Sequence, residues 1–157
     1  MEHSTHKATF AAGCFWGPEE AFRILPGVIE TRVGYTGGHI PNPSYEHVCT
    51  GTTGHAEAVE IIFDPTHISY EDLLQKFWTI HDPTQMNRQG PDIGNQYRSA
   101  IFYHTDEQKE IAEQSKDEHI ANGKAVVTEI TPASEFFPAE EYHQKYIMKG
   151  GNAVCHI

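Results

Sequence analysis

Five consecutive residues, Gly13-Cys14-Phe15-Trp16-Gly17, combine a thiol, two large rings and two glycines. They follow a short apolar run (Ala8, Phe10, Ala11, Ala12) and precede Pro18-Glu19-Glu20. That order predicts a strand end, a tight turn and a helix start. A cysteine at such a turn meets unpaired backbone N–H groups and the positive end of a helix dipole, both of which favour thiolate, the nucleophilic form. Glycine on either side permits a sharp turn and close approach of another molecule. The two rings then offer an apolar pocket for a small group beside a nucleophile. The competing reading is a buried structural thiol among core aromatics, since free cysteine and Phe-Trp pairs are commonly interior. The five residues alone leave both open.

A second reactive group is needed for chemistry, and Glu57 is the candidate. The run 56–63 alternates: Glu57, Val59, Ile61 and Phe63 share one face of a strand, and Ala56, Ala58, Glu60 and Ile62 the other. Glu57 therefore falls on an apolar face, where burial raises a carboxyl pKa and fits it to donate a proton. Glu60, among small residues, is expected to reach solvent. The opposing reading for Glu57 is a strand-edge carboxylate in water. Tyr45 and Tyr97 lie in or beside two long loops, where their hydroxyls can hold an oxygen or simply pack half-buried. Asp92 is a turn residue by default. Cys155, beyond Gly150-Gly151, is close enough to the chain end to approach Cys14, although their separation neither requires nor forbids contact. Cys49 reads as a buried structural thiol.

These residues must be positioned by the elements between them. The pattern predicts a strand over Lys7–Ala12, a helix over Trp16–Leu25 with Phe22 and Leu25 inward, and a strand over Val28–Tyr35. A long Gly/Pro loop runs from Thr36 to Gly54. The strand Ala56–Phe63 precedes a helix that Ser69 and Asp72 cap, with Leu73, Leu74, Phe77 and Trp78 as its apolar stripe. A second long loop spans His81–Gln96. A strand over Arg98–Tyr103 precedes a polar helix from a Thr105 cap to Asn122. A strand over Ala125–Ile130 and a short helix near Glu140–Met148 complete the chain. Strands and helices mix without strict alternation. The expected fold is α+β, a two-layer sandwich with a ferredoxin-like mixed sheet, helices packed on it, added loops and a C-terminal tail.

Length and composition bound the class. A chain of 157 residues is expected to form a single catalytic domain, with residues 1–6, including His3 and His6, disordered, and 149–157 a mobile tail carrying Cys155. The net charge of −11 argues against nucleic acid and anionic membrane surfaces as partners. The first residues lack the apolar core of a secretory signal, and no apolar run reaches membrane-spanning length. Three cysteines without CxxC spacing form neither a disulfide framework nor a zinc ribbon. A cytoplasmic location is the expectation.

Beyond this, Gly13-Cys14-Phe15-Trp16-Gly17 resembles the signature of A-type peptide methionine sulfoxide reductases. Val33-Gly34-Tyr35-Thr36-Gly37-Gly38, Pro43–Gly51, Thr53–Val59, Asp82-Pro83-Thr84, Asp92–Ser99 and Glu141–Tyr146 are similar to further blocks of that family, in order. The resemblance implies reduction of the S epimer of free and protein-bound methionine sulfoxide, in protein repair. It places the nucleophile on Cys14, the proton donor on Glu57, the oxygen-holding hydroxyls on Tyr45 and Tyr97, the methyl-receiving rings on Phe15 and Trp16, and a polar-pocket acid on Asp92. The chain departs from the family in its short tail, which implies one resolving cysteine, Cys155. The expected cycle needs no metal or organic cofactor, only an external dithiol such as thioredoxin. Two alternatives compete. One is a hydrolase or acyltransferase pairing Cys14 with His55 or His143. The other is a redox-sensing or metal-binding module.

Overall fold

The computed structural model of the chain describes residues 5–150; residues 1–4 and 151–157, and Cys155 with them, lie outside the described residues. Strand β1 (His6–Ala12) leads into helix α1 (Trp16–Arg23) and strand β2 (Val28–Thr36). A short helix α2 (Tyr45–Cys49) precedes β3 (Ala56–Phe63) and α3 (Tyr70–Thr79). A hairpin of β4 (Arg88–Gln89) and β5 (Asp92–Ile93) and a 3-10 turn at Asn95–Tyr97 lead to β6 (Ser99–Tyr103) and α4 (Asp106–Ala121). Strands β7 (Glu129–Pro132) and β8 (Phe137–Pro138) and a 3-10 turn at Glu141–His143 follow.

Six strands form one sheet in the order β7-β6-β1-β3-β2-β8. All neighbours are antiparallel except β6 and β7, which run parallel. The architecture is α+β, with helices on a mixed sheet. The alternation along β3 sorts its two faces as the sequence predicts. Val59, Ile61 and Phe63 join Phe10 of β1, Phe22 of α1 and Leu73, Leu74 and Phe77 of α3 in the main core. The Phe10 ring stacks on Phe22 and Phe77 at 5.4 and 5.1 Å. Each such fully buried ring contributes roughly 2–3 kcal/mol from apolar area. The other face carries Ala11, Ala56, Ala58, Ala100 and Phe102, with Phe136 packed on it.

Local chemistry fixes the helix starts. Ser69 accepts from Asp72 N–H at 3.0 Å while the Asp72 carboxylate accepts from Ser69 N–H at 3.1 Å, a complete capping box. Thr105 accepts from Gln108 N–H. The Gln108 amide instead donates to the Lys7 carbonyl, tying α4 to β1.

Several elements differ from the sequence expectation. His6 belongs to β1, opposite Phe63, and its ring sits edge-on to that ring at 5.8 Å, so pairing orders a residue expected to be disordered. The loop after β2 contains α2, which Ser44 caps and buried Val48 anchors. The second loop contains the β4–β5 hairpin. Helix α1 ends at Arg23, leaving Leu25 beyond it. Residues 125–128 are not a strand, because Val127 N–H donates to the Pro83 carbonyl and holds them against that loop. The expected helix near 140–148 is only the 3-10 turn. Lys145 there is left-handed (φ 50°), and its N–H donates to the Glu19 carboxylate at 2.6 Å. The Gln144 side chain lies along β2, accepting from Val33 N–H and donating to the Val33 and Ala139 carbonyls. Glu60 is buried rather than solvated, held by Arg32 at 2.6 Å and Lys7 at 3.7 Å. Among the described residues no helix is long and apolar enough to cross a membrane.

Candidate active site

The chain leaves the sheet at Ala12 and turns at Gly13 (φ 89°), where a Cβ would sit 2.9 Å from the Gln89 side chain. Positive φ and close approach both require glycine there. Gln89 is itself fixed, accepting from Asp82 N–H and donating to the Asp82 carbonyl. Cys14 follows, and Phe15 is the residue from which α1 starts. No side chain of α1 caps it. The Phe15 N–H, one of the helix's unpaired donors, goes to Glu57 Oε1 at 3.2 Å. The carboxyl predicted from the strand alternation therefore meets the turn that carries the thiol.

Glu57 is 1 % exposed, and its Oε2 is buried with no protein partner. Burial, reinforced by the charge of Asp92 and opposed by the Phe15 N–H, pushes its carboxyl up to about 8. At pH 7 the acid form then exceeds the carboxylate by roughly ten to one. Burial and the neighbouring Glu57 raise the phenols of Tyr45 and Tyr97, which keep their protons. Both tyrosines feel Glu57, and Tyr97 also feels Asp92, which sits on β5 opposite Gln89. The structure thus brings Glu57, Tyr45, Tyr97 and Asp92 into one polar cluster beside Phe15.

Cys49 corrects the sequence expectation. It is an exposed free thiol, because α2 ends at the surface. Its sulfur lies near Tyr45 and Tyr97, and partial burial of that sulfur raises its pKa. Cys14 is disulfide-bonded in this structure.

The apolar side is built by Phe15 and Trp16. Phe15 is buried against Tyr35 at 5.8 Å and His143 at 5.2 Å. The Trp16 ring stacks on Tyr146 at 4.0 Å, nearly parallel, and its Nε1–H donates to His143 Nδ1 at 3.0 Å. His143 also packs against Tyr45 at 4.5 Å, so one imidazole joins the apolar and polar sides. Burial lowers its pKa, and the proton of the neutral ring lies on Nε2. Glu140 sits beneath them: Oε1 accepts from the Tyr35 hydroxyl and Oε2 from Tyr45 N–H, each at 2.9 Å. Residue types and spacing do not mark Glu140, Tyr35 or Tyr146 as site residues, and they mark His143 only as a candidate base. The signal available was the density of rings in Glu141-Tyr142-His143-Gln144-Lys145-Tyr146, unusual in a polar stretch.

The histidine–cysteine alternative loses its base. His55 accepts from Gly38 N–H with Nδ1, and its Nε2 lies 2.7 Å from the Ile40 carbonyl, so both nitrogens are occupied. His143 Nδ1 accepts from Trp16, which leaves the proton of the neutral ring on Nε2 and no lone pair free to act as base. Among the described residues no group of three or more His, Cys, Asp or Glu could hold a metal.

A turn cysteine, a carboxyl held in its acid form and phenolic donors on an α+β sheet define a thiol-based enzyme. The family model for peptide methionine sulfoxide reductase matches residues 6–157. A peptide methionine sulfoxide reductase MsrA of Methanothermobacter thermautotrophicus is 58 % identical over 96 % of this chain and 91 % of that protein. One from Methanosarcina mazei is 63 % identical over 92 % of this chain and 70 % of that protein. Among solved structures, reduced Mxr1 from Saccharomyces cerevisiae superposes with TM-score 0.86 at 37 % identity, covering 93 % of this chain and 86 % of that one. The chain belongs to the peptide methionine sulfoxide reductase family.

Proposed function

We propose that this chain reduces the S epimer of methionine sulfoxide, free or within proteins, through Cys14. The observation that carries the reading is Glu57: an acid form at neutral pH, one oxygen on the Phe15 N–H, the other without a protein partner. Sulfoxide sulfur is a poor electrophile until its oxygen is hydrogen-bonded or protonated. Glu57 gives the proton, and the Tyr45 and Tyr97 hydroxyls hold the same oxygen. The Cys14 thiolate attacks sulfur, and oxygen passes to Cys14 as sulfenic acid while methionine leaves. Phe15 and Trp16 receive the methyl group, and Asp92 completes the polar wall.

Resolution falls to Cys155. Its thiol condenses with the sulfenic acid, releasing water and forming a disulfide, and an external dithiol, thioredoxin, restores both thiols by exchange. The disulfide-bonded Cys14 and the free Cys49 are consistent with this division of labour. Yeast Mxr1 has been crystallised in complex with Trx2. The cycle as proposed uses no resident cofactor. We read the chain as a single catalytic domain of ferredoxin-like kind, acting in protein repair in the cytoplasm. The order β6-β1-β3-β2, with all neighbours antiparallel, supports the fold assignment.

The test is mass spectrometry of the reduced protein given one equivalent of S- or R-sulfoxide. Methionine and a Cys14–Cys155 disulfide are expected from the S epimer alone. Equal reduction of both epimers, or reduction that survives Cys14→Ser, would refute the assignment.

A further inference from the structure

Helix α2 carries Tyr45, yet at five residues it is too short to hold its own position. Its Ser44 cap satisfies only the His47 N–H, leaving Tyr45 N–H without an acceptor within the helix. Glu140 Oε2 supplies that acceptor from 95 residues away. The other oxygen holds the hydroxyl of fully buried Tyr35, whose ring packs on Phe15. One carboxylate thus reaches both the oxygen side and the methyl side of the site.

We propose that Glu140 is a positioning residue for the reductive step, setting Tyr45 through its backbone and Phe15 through Tyr35. The proposal rests on Tyr45 and Phe15 being the pocket walls described above. Glutamine at 140 can keep both contacts: its carbonyl accepts from Tyr45 N–H, and its amide donates to the Tyr35 oxygen once that hydroxyl rotates. Alanine keeps neither.

The experiment is single-turnover release of methionine from the reduced full chain with excess L-methionine S-sulfoxide. It compares wild type, Glu140→Ala, Glu140→Gln, Tyr45→Phe and the Glu140→Ala/Tyr45→Phe pair. Glu140→Ala should slow release at saturating sulfoxide by about tenfold or more, as displaced catalytic groups do. Glu140→Gln should return it to within about threefold of wild type, by keeping both hydrogen bonds. In the Tyr45→Phe background the alanine change should cost less, because its route through the hydroxyl is gone and only the one through Tyr35 and Phe15 remains. A merely structural loss would show neither rescue nor this non-additivity. If Glu140→Ala does not fold, Glu140→Asp takes its place, since the shorter side chain reaches one partner and not both. A wild-type rate in the alanine or aspartate variant, or the same fold-loss in both backgrounds, overturns the proposal alone. A wild-type rate in Tyr45→Phe removes the oxygen-holding role of Tyr45 and this proposal with it. No methionine from the wild-type chain would refute the reductase reading itself.

Discussion

Replacing Glu57 with glutamine should change the pH dependence of both stability and catalysis. In the folded protein the carboxyl titrates near 8, against a usual 4.5. Between those values the unfolded chain has released the proton and the folded chain still holds it. Folded protein then binds more protons than unfolded, so wild-type stability falls as pH rises, by about 1.4 kcal/mol per pH unit. The full loss across the interval is on the order of 5 kcal/mol, present above pH 8 and absent below pH 4.5. Glutamine has no such titration. Urea unfolding of both proteins in the same disulfide state, at pH 5 and pH 8, should show the wild-type-minus-variant difference shifting by several kcal/mol against wild type at the higher pH. The rate of methionine release in the wild type should fall as pH rises through about 8, as the acid is consumed. In Glu57→Gln release should be slower by about 100-fold or more, with that limb missing. Parallel stability profiles, or a shared alkaline limb in the rate profiles, would remove the buried acid from the mechanism.

Cys155→Ala should still reduce about one sulfoxide per chain yet lose turnover with thioredoxin, while Cys49→Ser keeps it; rapid-quench and steady-state assays separate the two. Gly13→Ala should destabilise by about 1–3 kcal/mol, since the side chain meets both a left-handed backbone and Gln89, and a melting curve matching wild type would contradict that. Arg32→Ala should cost about 1–3 kcal/mol by weakening the pairing of buried Glu60, with a smaller loss in a Glu60→Gln background.

Glu57 was legible because strand alternation is a two-residue rule and its neighbours on that face are all apolar. Cys14 was legible because glycine, proline and acids mark a strand-to-helix turn. The capped starts of α3 and α4 were likewise local. What escaped the sequence depends on partners far along the chain. Cys49 looks interior by residue type, but α2 ends at the surface and turns the sulfur toward Tyr45 and Tyr97. Glu60 looks solvated until Arg32, on the neighbouring strand, reaches it. The stretch after Ala139 has helical periodicity, and contacts to Val33 and Glu19 override it. Glu140 carries no mark of its role, because both its partners lie about a hundred residues earlier.

The placement of Gln144 along β2 has a consequence for how the protein behaves in company. Beyond the two-residue pairing with β8, the outer side of β2 would present main-chain donors and acceptors to any passing strand. At Val33 the side-chain amide occupies the N–H and joins the Ala139 N–H on the carbonyl, as a neighbouring strand would. A folded-back glutamine therefore acts as a one-residue strand that cannot be extended, and it closes the sheet there to edge-to-edge assembly.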